Sequence, residues 1–297
     1  MNTATLTRSA AAPVVPQRSP GYWRSVISRF VRDPVAMAAL AVVLALVLLA
    51  VFGPWLTPAD PYQSAMLKRL KPIGTPGFLL GTDELGRDML SRLIVGARLS
   101  LFMGITPVLL AFAIGAAIGI VAGYAGGLTN TLIMRTIDVF YAFPSVLLAI
   151  ALSGTLGAGI VNSLISLTIV FIPQIARVAE SVTTQVRGRD YVEAARASGA
   201  GPFTIVRVHV LGNVLGPIFV YATSLVAVSM ILASGLSFLG LGVKPPEPEW
   251  GLMLNTLRTA IYTQPLVAAL PGVMIFITSI SFNLLSDGLR SAMDNKG

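Results

Sequence analysis

Residues 36–56 read AMAALAVVLALVLLAVFGPWL, 21 positions without a single charged side chain. A helix rises 1.5 Å per residue, so about 20 apolar residues cross the hydrocarbon core of a bilayer. A secretory signal peptide would have a shorter apolar core, of roughly 7 to 15 residues, and small residues at a cleavage site soon after it. The stretch therefore predicts a retained transmembrane helix.

The composition of the whole chain extends this conclusion. Of 297 residues, 55% are hydrophobic and only 11% are charged, against about 25% charged residues in an ordinary soluble domain. Basic segments beside a membrane explain the net charge of +8, so no nucleic acid is needed as a partner. The sequence contains no cysteine, which excludes disulfides and thiolate metal sites.

Other uncharged blocks predict five more transmembrane helices. Residues 139–176 carry no charge over 38 positions, which is too long for one helix and suits two helices joined at 153–159. The six predicted spans are 36–56, 99–122, one beginning near 131, one ending at 176, 214–239 and 265–285. In the second span, Gly115, Gly119 and Gly123 stand four residues apart. Small residues at that spacing predict the close approach of another helix.

The segments outside the spans predict the topology. They are a disordered basic tail over 1–35, an extracytoplasmic connection over 57–98, and a C-terminal tail over 287–297 that follows a core transmembrane domain over 99–286. With the N-terminus inside, the inner segments hold 13 lysines and arginines and the outer segments hold 8. This excess predicts that both termini are cytoplasmic.

Residues for enzyme chemistry are scarce. His209 is the only histidine, and the chain has neither a zinc-binding HExxH nor a phosphate-binding GxxxxGK[ST] motif. The predicted spans contain no charge except Asp138, which can pair with Arg135 at i, i+3 spacing at the membrane boundary. An ion-coupled transporter normally keeps charged groups within the membrane. An ion-coupled transporter or a channel remains the alternative, but energy supplied by a partner protein is favoured.

The loop over 186–213 is the segment best suited to meet such a partner. Its sequence predicts a short helix from Tyr191 to Ser198, a break at Gly199-Ala200-Gly201-Pro202, and a second helix leading into the fifth span. Two short helices that project from the membrane can dock in a groove of another protein. A solvated amphipathic loop is the other interpretation of the same pattern.

Five segments together carry a resemblance to a known family. The loop is similar to the EAA loop of membrane subunits of bacterial ABC importers, through Glu193-Ala194-Ala195, Gly199 and His209-Val210-Leu211. Four other segments resemble the second permease subunit of the dipeptide, oligopeptide and nickel branch. They are GTDELGRDMLSRLIVGARLSL (81–101), GYAGGLTNTLIMRTIDVFYAFP (123–144), LSFLGLGVKPPEPEWGLML (236–254) and FNLLSDGLRSAM (282–293). Two departures are Gly212, where a proline is usual, and Asn130, where an aspartate is common.

The resemblance implies a fold, partners and a site. The fold would be an all-α type I ABC importer permease, similar to MetI, with six transmembrane helices in a bacterial inner membrane. The partners would be a homologous permease, two ATP-binding subunits and an extracytoplasmic solute-binding protein, with no cofactor or metal. The solute would be a peptide or a similar small molecule. The residues implied to couple this chain to the ATP-binding subunits are Tyr191, Glu193, Ala194, Ala195, Gly199, His209, Leu211 and Asn213.

The proline-rich connection over 240–264 predicts a second functional element. Pro245, Pro246 and Pro248 restrict the backbone and remove hydrogen-bond donors, which suits a rigid non-helical link. Trp250 follows them, and tryptophan favours the membrane interface. We expect this connection at the membrane surface, at the mouth of the solute path, although an ordinary structural loop fits the same residues.

Overall fold

A computed structural model describes residues 22–294, and over these residues the chain contains helices and loops but no named strand. The α-helices are α1 Tyr22–Arg32, α2 Pro34–Leu56, α3 Met89–Ala125, α4 Gly127–Tyr141, α5 Ser145–Leu156, α6 Ile160–Arg187, α7 Asp190–Ala197, α8 Pro202–Ile205, α9 Leu211–Phe238, α10 Trp250–Thr256 and α11 Pro265–Met293. Short 3-10 turns lie at Met66–Lys68 and Ala260–Tyr262, and a π-helical turn at Val206–Val210 joins α8 to α9.

Five helices in residues 22–294 are long and apolar enough to cross a membrane, namely α2, α3, α6, α9 with the turns before it, and α11. A sixth span is formed if α4 and α5 are counted as one bent unit, and the two are inclined at 85° to each other. The prediction that this third span is a single helix is therefore wrong. Pro144 disfavours helical backbone at the residue before it, so the chain leaves the helix near Phe143.

Several helices extend beyond the apolar blocks that predict them. The helix α3 begins at Met89, ten residues before 99, and its first amide groups are capped by the Asp88 carboxylate, which accepts from the Ser91 amide at 2.8 Å. The helix α6 continues past the predicted end at 176 to Arg187. Hydropathy marks the bilayer, whereas a helix ends where capping and turn residues allow.

The helices α3 and α6 form the most extensive helix–helix contact within residues 22–294. The glycines spaced four residues apart lie at this contact. A methyl group on Gly115 would lie 2.9 Å from the carbonyl oxygen of Ile172, and one on Gly123 would lie 2.7 Å from that of Glu180. A methyl group on Gly119 would overlap the carbonyl oxygen of Ala176. The two backbones are therefore in direct contact, as the ladder predicts.

The one described ion pair that joins two spans differs from the predicted one. Asp138 on α4 pairs with Arg177 on α6, whose guanidinium also lies 5.2 Å from the centre of the Tyr141 ring. The prediction that Asp138 pairs with Arg135 is therefore wrong. The bend between α4 and α5 brings α4 alongside α6, so the partner comes from another helix.

The connection between α2 and α3 folds as a cap on one end of the bundle. Its centre is the buried Asp83, whose carboxylate accepts from the Arg87 Nε at 2.6 Å. Asp83 also forms an ion pair with Arg92, whose Nε lies 3.2 Å away but without the geometry of a hydrogen bond. The Arg92 guanidinium also donates to the carbonyl oxygen of Pro61 at 3.0 Å. A buried ion pair is retained only with such additional hydrogen bonds, because removal from water is costly. We call residues 57–88 the outer cap, after the side of the membrane on which the sequence predicts them.

The helix α10 is inserted between α3 and α9 beside the outer cap. Trp250 is fully buried, and its indole N–H donates to the carbonyl oxygen of Leu93 at 3.0 Å. Glu249 caps α10 by accepting the amides of Gly251 and Leu252, both at 2.8 Å. Burial raises the pKa of the Glu249 carboxyl, and these two hydrogen bonds oppose the rise. The Trp250 side chain is therefore buried in protein, where it does not contact lipid headgroups, and the predicted non-helical link contains a helix.

The first described residues also differ from the prediction. Residues 22–32 form the helix α1, whereas the sequence analysis treats them as part of a disordered tail. Residues 1–21 of that tail lie outside the described residues. Asp33 ends α1 and caps α2, since its carboxylate accepts the amide of Val35 at 2.9 Å. The chain therefore passes from α1 into the first span through a single residue.

We expect Gly119→Ala to lower stability by about 1–3 kcal/mol, the usual cost of forcing extra volume into a packed interface. The matched control is Gly235→Ala on α9, where an added methyl group meets no atom within 4 Å. Thermal unfolding in detergent measures both variants. A Gly119→Ala protein as stable as the Gly235→Ala protein would contradict the close α3–α6 contact.

We expect Trp250→Ala to cost about 3–5 kcal/mol, because it empties a buried aromatic site and leaves the Leu93 carbonyl without its indole donor. Trp55→Ala is the control, since Trp55 is 78% exposed in this chain. The same unfolding measurement applies. Equal and small losses of stability in the two variants would contradict the buried packing of α10 between α3 and α9.

Candidate functional site

The loop over 186–213 follows α6 and projects from the end of the bundle opposite the outer cap. The helix α7 has Asp190 and Glu193 in its first turn and Arg196 in its last, which suits the positive N-terminal and negative C-terminal ends of a helix. The chain then turns at Gly199, and α8 with the π-helical turn leads directly into α9. The predicted arrangement of a short helix, a glycine break and a second helix is present.

Gly199 ends α7 in a left-handed conformation, with φ of +85°. Its amide donates to the Arg196 carbonyl at 3.0 Å, and the Ala200 amide donates to the Ala195 carbonyl at 3.1 Å. These two hydrogen bonds form a Schellman motif, which satisfies the last carbonyl groups of the helix. A side chain on Gly199 would meet no atom within 4 Å. Backbone conformation, and not space, therefore calls for glycine here.

Three apolar side chains hold the loop against the rest of the chain. Val192 and Val210 are fully buried, and Ile205 is 1% exposed. They come from α7, α8 and the π-helical turn, which contact one another and the end of α6. The loop is therefore a packed unit fixed to the helices α6 and α9.

The residues predicted for the site divide into an outward and an inward set. Tyr191 is 44% exposed and its ring centre lies 6.4 Å from that of His209, so the fold joins the two ends of the predicted motif. Glu193, Ala194, Gly199 and Asn213 are exposed, whereas Ala195, Leu211 and His209 are partly buried. The side-chain amide of Asn213 donates to the His209 carbonyl at 2.7 Å, across the junction between the π-helical turn and α9. The fold brings Tyr191 and His209 together, while Glu193, Ala194, Gly199 and Asn213 lie on the exposed surface of the loop.

Two further residues on this surface were not among those predicted. Phe203 is 78% exposed and Val208 is 61% exposed, so both apolar side chains stand out from the loop. Phe203 follows Pro202, the first residue of α8. The sequence does contain a signal for Phe203, since it is an aromatic residue in a polar loop, directly after the proline that begins a short helix. Such a residue predicts an apolar contact with a partner.

The charges of the loop are not paired internally. Arg187, Arg189, Arg196 and Arg207 stand with Asp190 and Glu193 in this segment. None of the four ion pairs found among residues 22–294 includes any of them. In the same part of the chain, no three histidine, aspartate or glutamate side chains come together as metal ligands. The surface thus offers apolar contacts and free charges, which is the chemistry of docking.

A cleft of about 790 Å³ lies at the opposite end of the bundle, beside the outer cap. Its walls carry charges of both signs, from Asp60, Arg98 and Glu247. The hydroxyl of Tyr62 donates to Glu247 at 3.0 Å, which joins the outer cap to the proline-rich connection. The two connections therefore form one structure at this end.

Comparison with known proteins places these features in a family. Residues 115–296 match the family described as "Binding-protein-dependent transport system inner membrane component", and residues 21–72 match the "N-terminal TM domain of oligopeptide transport permease C". The glutathione transport system permease protein GsiD of Pectobacterium atrosepticum is 41% identical over 288 residues, covering 97% of this chain and 96% of that protein.

A second relative agrees with this family, and a solved structure is similar in fold. The di/tripeptide transport system permease protein DppC of Pseudomonas aeruginosa is 41% identical, covering 95% of this chain and 94% of that protein. The fold is similar to a chain of the inward-facing MetNI methionine ABC transporter, with a TM-score of 0.57 and 20% identity over 69% of this chain and 98% of that chain. The chain thus belongs to the family of binding-protein-dependent transport system inner membrane components, as a multi-span permease of the inner membrane.

Proposed function

We propose that this chain is a permease subunit of an ABC importer that carries short peptides, such as di- and tripeptides or glutathione, across the inner membrane. The observation that carries the proposal is 41% identity along nearly the whole length of relatives named for glutathione and for di/tripeptides. In this proposal the chain pairs with a homologous permease to enclose the path. A solute-binding protein delivers the peptide, and ATP is hydrolysed in two separate subunits.

The loop over 186–213 is proposed to receive the motion of the ATP-binding subunits. Its exposed Phe203 and Val208 and its unpaired charges suit a groove in a second protein. Buried aromatic and apolar anchors surrounded by polar groups are typical of stable interfaces. Since Val192, Ile205 and Val210 fix the loop to the spans, a displaced loop moves α6 and α9.

Within this proposal each predicted residue has a distinct role. Tyr191, Glu193 and Ala194 belong to the contact surface, together with Phe203. Gly199 sets the direction in which the chain leaves α7. The partly buried Ala195, His209 and Leu211 join α7 to the start of α9, and Asn213 stabilises the first turn of α9 through the His209 carbonyl.

The proposed orientation places this loop and both termini in the cytoplasm, with the outer cap on the opposite side. The excess of basic residues in the inner segments supports it, because cytoplasmic segments of inner-membrane proteins are enriched in lysine and arginine. The solute-binding protein would then meet the end that carries the outer cap and its cleft.

An ion-coupled transporter is the alternative, and the observation in its favour is the Asp138–Arg177 pair between two spans. The pair is also explained as a structural contact that joins α4 to α6. Uptake that an ion gradient drove in the absence of ATP would favour this alternative.

The absence of cysteine makes the orientation directly testable. A single cysteine at the exposed Ser198 should resist an impermeant thiol reagent in spheroplasts and react after the membrane is opened. One at the exposed Ser64 in the outer cap should react in intact spheroplasts. Thr82 is unsuitable as a probe because it is fully buried. The reversed pattern of labelling would overturn the orientation.

The coupling role predicts a specific effect of Gly199→Val. A β-branched residue held at φ of +85° is strained by about 1–2 kcal/mol, so α7 should be misdirected while membrane insertion is spared. We expect near-normal amounts in the membrane with ATP-dependent peptide uptake reduced at least tenfold. Uptake and ATP hydrolysis by the reconstituted complex measure this.

The matched control is Gly201→Val. Gly201 has φ of −69° and ψ of 158° and also has no atom within 4 Å of an added side chain. Valine adopts that extended conformation before a proline without strain, so uptake should fall far less. Normal uptake by Gly199→Val, with the ATP-binding subunits still attached, would contradict the coupling role.

A further inference from the structure

The helix α1 is held at the boundary of the bilayer by its connection to the first span. Only Asp33 separates Arg32, the last residue of α1, from Pro34, the first residue of α2. Since α2 crosses the hydrocarbon core over its 23 residues, its first residue lies near one membrane surface. The last turn of α1, which includes Val31, therefore lies close to the lipid headgroups.

One face of α1 is fixed to the protein. Val26 is 7% exposed, and Phe30 lies next to Gly288 near the end of α11. The Arg29 guanidinium donates to the carbonyl oxygen of Asp294 at 3.5 Å. These contacts hold α1 against the end of α11, so it has a defined orientation.

A second face of α1 carries apolar side chains that the described residues, 22–294, leave uncovered. Ile27 is 60% exposed and Val31 is 56% exposed, and they stand four residues apart on the same side of the helix. Val35, at the start of α2, is 54% exposed as well. Ile27 and Val31 therefore form an apolar strip that residues 22–294 do not cover.

The arginines Arg24 and Arg32 lie on the flank beside this apolar surface. At 100° per residue, both arginines point away from the buried side of α1 that carries Val26 and Phe30. Both are exposed. Among residues 22–294 neither has an acidic partner within 4 Å. A helix with an apolar strip and a cationic flank is typical of one that lies in the membrane interface.

We propose that α1 is a docking surface for anionic phospholipid headgroups, with Ile27 and Val31 in the acyl boundary and Arg24 and Arg32 against the phosphates. A zwitterionic headgroup has no net charge for two unpaired arginines to neutralise, whereas an anionic headgroup has one. A basic residue near an anionic surface contributes about a fivefold preference. The inference depends on α2 as a membrane span and not on the proposed solute.

The test uses the chain's lack of cysteine. The complete transporter carrying Val31→Cys is labelled at that position with a fluorophore and reconstituted in bilayers. These contain equal mole fractions of either brominated phosphatidylcholine or brominated phosphatidylglycerol, whose bromines quench a fluorophore on contact. We expect quenching by both lipids and severalfold stronger quenching by the anionic one. The difference should shrink as salt is added, because salt screens exposed charges.

Adding Arg24→Gln and Arg32→Gln should remove most of the anionic preference and keep the quenching itself, which shows that α1 still rests on the bilayer. Arg258→Gln, which removes an exposed arginine at the other end of the bundle, should leave the preference unchanged. Equal quenching by the two lipids at low salt would overturn the proposal. So would the absence of quenching by either lipid, because a protein subunit would then cover α1. The salt titration needs no arginine substitution, so it decides the matter if the double variant does not fold.

Discussion

The backbone contact between α3 and α6 is the interaction on which the rest of this structure depends. In a bilayer the apolar environment gives two helices no hydrophobic reason to associate, so close packing and dispersion must hold them together. Gly115, Gly119 and Gly123 remove the side chains that would keep the two helices apart. The outer cap leads into α3, and the loop over 186–213 leaves α6. The contact therefore joins the two ends of the molecule through rigid helices.

The two ends of the bundle differ in whether their polar and charged groups are buried and paired. At the outer cap, Asp83 and Arg87 are buried and paired with each other and with Arg92 at the start of α3, and Trp250 and Glu249 fix α10 by hydrogen bonds to backbone groups. At the other end, charges and apolar side chains of the loop remain exposed, and only Val192, Ile205 and Val210 are buried beneath them. The charges at the cap are paired within the chain, whereas exposed and unpaired groups are suited to a partner. This contrast supports the coupling role proposed for the loop.

Much of this architecture could be predicted from the sequence, because the bilayer imposes a simple rule on residue order. The apolar blocks predict the spans, the glycine ladder predicts its contact, and the Gly199 break predicts the end of α7. The bend at Pro144 could not be predicted in this way, because Pro107, Pro173, Pro217 and Pro271 also stand inside apolar blocks and yet lie within continuous helices. The early start of α3, in contrast, is signalled by Asp88, which is a typical N-cap residue.

Other features could be found only from the three-dimensional structure. Asp138 pairs with Arg177 on a different helix, and Trp250 is buried by residues that are distant in sequence. Spacing along one helix cannot show either of them.

The central claim, that the loop receives the ATP-binding subunits, is tested most directly by hydrogen exchange of the backbone amides. The permease pair should be measured alone and again in the complete complex. The account predicts that amides of residues 190–205 exchange more slowly once the ATP-binding subunits are attached, because the interface removes them from water. Residues 62–80 of the outer cap should exchange at the same rate in both states. Unchanged exchange over 190–205 in a complex that demonstrably contains the ATP-binding subunits would contradict it.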